Sequence, residues 1–168
     1  MEALLNDETY SDITFVIGDA RITAFSGILI NRSEYFQVML TSGFAEGREA
    51  RKEIPIHNTT PEAFKAILRY LYTDELEFPT KHLVDVMNKA KEISLERLYE
   101  HTVNEASRLF TVHNVVEWLV KADEDGLEDV RSVAFAFFKR NHQRIKAEAK
   151  NSLQGLSKEL AVRLIEEL

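Results

Sequence analysis

The chain has 168 residues, 28 acidic against 21 basic, no cysteine, and 45% hydrophobic residues. That length holds one ordinary domain or two small ones with a real core. The formal net charge of −7 disfavours a nucleic-acid surface, and the missing cysteines exclude disulfides, thiolate metal sites and a cysteine nucleophile.

No apolar run approaches the roughly 20 residues needed to span a bilayer. The opening Met1-Glu2-Ala3-Leu4-Leu5-Asn6-Asp7 has neither a basic n-region nor a signal core. A soluble intracellular protein, cytoplasmic or nuclear, is therefore the expectation. The first predicted element is a strand at Ile13-Thr14-Phe15-Val16-Ile17, which is β-branched and aromatic at strand length. Gly18-Asp19-Ala20-Arg21 supplies a turn, and Ile22-Thr23-Ala24-Phe25 runs back as its partner. Asp12 reads as a cap or turn acceptor rather than a catalytic group, because Asp commonly bonds nearby backbone amides. The apolar Gly27-Ile28-Leu29-Ile30 is too short to assign. Ser33 caps a helix from Glu34 to Leu40 that Gly43 ends, with Phe36, Met39 and Leu40 on one face.

The charged run from Glu46 to Glu53 reads as a solvated loop or helix end. Ile54-Pro55-Ile56 is a third strand, and Pro55, lacking an amide donor, confines it to an edge or a non-bonding register. The clearest local signal follows: Thr60 as N-cap, Pro61 at N1 and Glu62 complementing the dipole. Phe64, Ile67, Leu68, Leu71 and Tyr72 then form a helical stripe facing a core.

From Thr80 onward the pattern is helical throughout. Thr80 is expected to cap a helix with Leu83, Val86, Met87 and Ala90 inward, and Ser94 one with Leu95, Leu98, Tyr99, Thr102 and Val103. Thr111 caps a third, carrying Val112, Val115, Val116, Leu119 and Val120, which Gly126 closes. Leu127, Val130, Ala134, Phe137 and Phe138 mark a fourth; Ser157 opens a last one with Leu160, Leu164, Ile165 and Leu168. Short connections between such helices imply stacked hairpins. Residues 1–80 hold 13 acidic and 7 basic residues, so 7 − 13 gives −6; residues 81–168 hold 15 and 14, giving −1. The acidity sits on the first module.

Catalytic constellations are missing from the sequence. His57, His82, His101, His113 and His142 form no HExxH pair, and His101 with Glu105 reads as a solvated pair. No phosphate-binding glycine loop and no GxSxG elbow occur. Asp123-Glu124-Asp125 before Gly126 lacks the alternating spacing of a calcium loop. Lys139, Arg140, Arg144 and Lys146 make a small basic patch whose expected role is complementing a helix C-terminus. An enzyme is disfavoured, and no metal or cofactor is expected.

The order of elements and five short stretches resemble a BTB/POZ domain. They are Tyr10-Ser11-Asp12-Ile13-Thr14-Phe15-Val16, Ile28-Leu29-Ile30-Asn31-Arg32-Ser33-Glu34-Tyr35-Phe36, Glu53-Ile54-Pro55-Ile56, Pro61-Glu62-Ala63-Phe64 and Leu68-Arg69-Tyr70-Leu71-Tyr72-Thr73. The later helices resemble the BACK-type hairpins of speckle-type and kelch-type cullin-3 adaptors. The resemblance implies an α+β fold: a BTB/POZ module with the first extension helices over 1–104, and a BACK-like, incomplete-looking helical region over 105–168.

It also implies a non-enzymatic adaptor for a cullin-3 ubiquitin ligase, or alternatively a dimerisation scaffold acting without a cullin. Phe44-Ala45-Glu46 occupies the place of the family's hydrophobic-x-Glu docking motif: an exposed Phe can fill a partner's apolar pocket while Glu46 pairs with polar groups. Tyr72 either lines that surface or belongs to the core. A homodimer is implied through Leu4, Leu5, Ile28 and Leu29. The family's His followed by Lys or Arg is replaced by Phe25-Ser26, and its Gly after Tyr-Thr by Asp74. No MATH, kelch, ankyrin or zinc-finger segment is present, so a protein substrate would bind the helical region or a module outside these residues.

Overall fold

A computed structural model describes residues 9–42 and 52–166. It contains two compact units, Met1–Thr102 and Val103–Leu168. In the first, β1 (Ile13–Ile17) pairs antiparallel with β2 (Ala20–Ala24) and parallel with β3 (Lys52–Pro55), in the order β2-β1-β3. The turn is shorter than expected: Ile17 pairs with Ala20, so Gly18-Asp19 alone connect the strands. Gly18 has φ +57, which suits the first central position of a two-residue type II′ hairpin. Pro55 does lie on an edge strand, and the ladder continues past it through the Ile56 N–H bond to the Val16 carbonyl, 2.9 Å.

Two helices follow the hairpin: α1 (Ser26–Arg32) and α2 (Glu34–Thr41). The unassigned stretch at Gly27–Ile30 is thus the body of α1, and Phe25, expected in the strand, is its N-cap. Phe25 offers no side-chain cap bond; Asp12 does so from across the hairpin, accepting from the Ser26 N–H at 2.7 Å and hydroxyl at 2.5 Å. Asp12 is a structural cap, as its sequence position suggested. Ser33 caps α2 by accepting from the Phe36 N–H. Gly43 lies outside the described residues.

Helix α3 (Pro61–Thr73) forms as the local signals dictate: Thr60 Oγ1 accepts from the Ala63 N–H and Pro61 opens the first turn. Its whole predicted stripe is buried. Phe64 on α3, Phe36 on α2 and Phe15 on β1 meet with centroids 5.0–6.4 Å apart, joining sheet and helices in one core. Each such side chain contributes about 1.5–3 kcal/mol of burial, so Ile67→Ala would cost about 2–5 kcal/mol.

The next helix begins later than expected. Thr80–His82 is a 3-10 turn closed by the His82 N–H bond to the Pro79 carbonyl, and α4 (Leu83–Glu92) starts after His82. The inward face Leu83, Val86, Met87 and Ala90 is as predicted.

Ser94 does not cap the following α5 (Glu96–Arg108). It stands at φ +54 just past α4, with its N–H bonded to the Lys91 carbonyl and the Leu95 N–H to that of Ala90. This is a Schellman termination, which normally uses glycine.

In the second unit α6 (Val115–Glu124) and α7 (Glu128–Glu148) form a hairpin, followed by a 3-10 segment (Lys150–Gly155) and α8 (Lys158–Glu166). Thr111 and Asn114 exchange bonds ahead of α6: Thr111 N–H donates to Asn114 Oδ1 at 2.7 Å, and Asn114 N–H to Thr111 Oγ1 at 3.2 Å. That is a capping box with Asn in the place of Glu. Gly126, at φ +64, closes α6 with the same Schellman pattern as Ser94. Phe110 packs on Trp118 and Phe137, with centroids 5.7 and 6.0 Å away. Ser157 caps α8 through the Leu160 N–H, and Arg163 ties α8 to Asp123 at 2.6 Å. Leu160 and Leu164 are buried but Ile165 is 69% exposed, contrary to its expected inward place: it lies one residue beyond the buried i, i+4 row. Leu168 lies outside the described residues.

Candidate interaction surface

Helix α2 precedes the expected partner-binding residues in the chain and presents one polar face to solvent. Phe36 and Leu40 anchor it inward, Met39 is half-buried, and the opposite face carries Glu34, Gln37, Val38 and Thr41. Val38 is 60% exposed. It falls out of phase with the Phe36, Met39, Leu40 stripe, a signal already present in the helical spacing. Phe44, Ala45 and Glu46, the expected partner-binding residues, follow α2 in the chain but lie outside the described residues.

Tyr72 takes the core role of its two alternatives. It is 1% exposed, and its hydroxyl accepts from the Phe25 N–H at 2.7 Å. Burial pushes its phenol above the ordinary value, the Phe25 bond working in the opposite sense. Tyr72 and Asp12 therefore hold the first amides of α1 from two other elements. Tyr35 on α2 is similarly raised by burial and by the Glu92 carboxylate.

The dimer candidates divide. Leu29 is fully buried in the core and offers no side-chain surface, a correction to its expected interface role. Ile28 is half-buried at the core margin. Leu4 and Leu5 lie outside the described residues. Phe25 and Tyr10 are exposed aromatics at the open end of the hairpin. Phe25 lies over Gly27, where a Cβ would come within 2.8 Å of its ring, so glycine there lets the aromatic ring rest on the helix.

Asp74 occupies the left-handed C-cap of α3 with φ 62, so it does accept the turn conformation for which the family uses Gly. Its carboxylate hydrogen-bonds Arg32 and lies 3.8 Å from Arg97. The Arg32 bond holds the Asp74 carboxyl below the usual range. Lys89, almost fully buried, donates to the His57 carbonyl at 2.6 Å and to Glu92 at 2.8 Å, fastening α4 to the loop before α3. These charged groups serve the fold. Among the described residues no cluster of three metal-ligating side chains occurs. Glu105 pairs with Arg108, Asp123 with Arg163 and Asp125 with Lys121. Among the described residues no helix is long and apolar enough to cross a membrane.

A family model for the BTB/POZ domain matches residues 1–108. BTB/POZ domain-containing protein 9 of Drosophila melanogaster is 33% identical over 164 residues, covering 95% of this chain and 22% of that protein. Its Rattus norvegicus counterpart is 31% identical over 148 residues, covering 86% and 24%. The chain thus spans less than a quarter of the length of these relatives. Human Rabankyrin-5 is 30% identical over 123 residues, covering 72% of this chain and 10% of its own.

Among solved structures, the BTB domain of human gigaxonin aligns with a TM-score of 0.48 and 19% identity over 56% of this chain and 76% of that one. The BTB domain of zebrafish PATZ1 gives 0.47 and 24% over 55% and 72%. With the family model matched over 1–108 and a short three-stranded sheet flanked by helices, the chain belongs to the BTB/POZ domain family, whose members are non-enzymatic protein-interaction modules.

Proposed function

We propose that this chain is a homodimeric substrate adaptor that joins a cullin-3 ubiquitin ligase to a protein substrate and does no chemistry itself. The region from 105 onward serves in this reading as a BACK-like extension, as in speckle-type and kelch-type adaptors. The observation that carries the reading is the outer face of α2: Val38 is exposed among Glu34, Gln37 and Thr41, and Phe44-Ala45-Glu46 follow α2 in the sequence. An exposed aliphatic side chain on a polar helix face suits an apolar pocket on a helical partner, and the resemblance supplies Phe44 as the aromatic anchor and Glu46 as its polar companion. The dimer would use residues near Leu4, Leu5 and Ile28, with exposed Tyr10 and Phe25 adding aromatic surface.

Calorimetry with the cullin-3 N-terminal domain tests the docking. Phe44→Ala and Glu46→Lys should each weaken binding about tenfold to a hundredfold, the range of an interface hot spot. Unchanged affinity in both variants removes these residues from the interface. A dimer in equilibrium sedimentation without any cullin binding supports the alternative, a BTB scaffold for transcriptional or cytoskeletal assembly.

A further inference from the structure

The three-stranded sheet has two outer edges, β2 and β3, and only one of them is guarded. The Ile56 N–H bonds the Val16 carbonyl, so Val16, and Thr14 two residues before it, turn their backbone groups toward β3. Ile13, Phe15 and Ile17 therefore turn theirs toward β2, where Ala24, Ile22 and Ala20 stand opposite. The intervening residues of β2, Arg21 and Thr23, consequently point their N–H and C=O groups out of the sheet. These four groups have no hydrogen-bond partner among the described residues.

The β3 edge is closed by its own sequence. Pro55 has no N–H to offer, and Lys52 and Glu53 bring charge to the strand. On β2 the only charged side chain is Arg21, and it leans away from the edge: its Nε reaches across β1 to Glu53 Oε1 at 3.1 Å. The group that could screen the edge is thus drawn inward over the sheet. Thr23 is uncharged and half-buried. Ile22 and Ala24 are already buried in the core, so what the edge offers is backbone rather than apolar surface.

Outward groups two residues apart on a pleated strand are met by an extended chain, which returns a donor and an acceptor to each. A second copy of this chain is a poor occupant. A five-residue strand covers far less than the roughly 800 Å² per partner of a stable interface, and two chains of net charge −7 repel one another. A short added peptide draws its affinity from main-chain bonds and needs no such area. Charge selects a basic one. Residues 1–80 carry 13 acidic and 7 basic side chains, and exposed Asp19, in the turn that leads into β2, has no ion-pair partner among the described residues.

We propose that the outer edge of β2 accepts an extended, β-branched segment of a partner protein as an antiparallel fourth strand, with a basic side chain near the segment's C-terminal end facing Asp19. The N–H and C=O groups of Arg21 and Thr23 make its main-chain bonds. A segment running antiparallel to β2 finishes beside the start of that strand, which brings its last residues to the turn. The assignment is independent of the cullin docking proposed for α2 and the residues after it.

Fluorescence anisotropy with the 168-residue chain and a labelled octapeptide of alternating Val and Thr, ending in two lysines, tests this. Saturable binding is expected. N-methylation of alternate peptide amides should weaken it about tenfold or more, while methylation of the interleaved amides, which face solvent, should change it less than about threefold. Thr23→Pro removes an outward N–H without touching the ladder to β1 and should also weaken binding about tenfold. Asp19→Lys should cost about threefold or more, whereas Glu77→Lys, the same charge change at another exposed residue, should not. Hydrogen exchange reads the unaltered chain: the Arg21 and Thr23 amides exchange freely alone and become protected with peptide. Absence of saturable binding, equal losses from both methylated sets, or full affinity in Thr23→Pro with both amides unprotected overturns the proposal. Self-association of the chain that Thr23→Pro abolishes overturns it too, giving the edge to a second copy.

Discussion

Replacing Ser94 by glycine should stabilise the first unit by about 0.5–1 kcal/mol. Ser94 holds φ +54 at the left-handed position that ends α4, and its side chain is exposed. A left-handed backbone costs a residue with a Cβ roughly 1–2 kcal/mol. Glycine avoids that cost but returns about 0.4–1 kcal/mol through the greater freedom of the unfolded chain. The difference raises the melting midpoint by about 3–6 °C in a unit of this size.

Gly126 provides the reverse experiment, since α6 ends in the same hydrogen-bond pattern with φ +64. A Cβ built there meets nothing within 4 Å, so Gly126→Ser reports the backbone conformation free of any clash. It should destabilise by a similar amount. Circular dichroism at 222 nm during thermal and urea unfolding measures both. A lowered midpoint for Ser94→Gly, or a neutral Gly126→Ser, would refute the reasoning.

Two further outcomes concern the start of α1. Asp12→Ala should cost about 2 kcal/mol in urea unfolding, because the buried Ser26 loses the acceptor for both its N–H and its hydroxyl; a change below about 0.5 kcal/mol would show that solvent replaces the carboxylate. Tyr72→Phe should cost about 1–2 kcal/mol at neutral pH by stranding the Phe25 N–H. The folded state favours the protonated phenol of Tyr72, so its titration contributes stability that is complete below the ordinary value of 10.0 and is lost as pH rises through the higher folded value. The variant should therefore flatten the alkaline side of the stability profile, and an unchanged alkaline limb would contradict that assignment.

Local chemistry decided what could be read from the residues. Thr60-Pro61-Glu62 announces α3 because cap, proline and dipole partner are adjacent in sequence and act on one another. Helix α1 could not be read that way: its cap groups come from Asp12 and Tyr72, 14 and 47 residues from their partners. Ser94 misleads because serine ordinarily caps helix starts, whereas here it holds the left-handed conformation that ends one. Val38 was legible, since a lone aliphatic out of phase with its helix must face outward unless another element covers it. Phe44-Ala45-Glu46 and Leu4-Leu5 rest on family resemblance, because three or two residues carry no periodicity from which a role can be derived.

The remote capping of α1 also bears on how the first unit assembles. A seven-residue helix is too short to persist alone, and this one has no cap of its own. Its first amides acquire acceptors only when β1 has brought Asp12 alongside and α3 has delivered Tyr72. Helix α3, with its cap and proline in place, can flicker into existence from the unfolded chain. Amide hydrogen exchange at Phe25 and Ser26 should accordingly be released only by opening of the whole unit, making these two sites reporters of its cooperative unfolding rather than of local fraying.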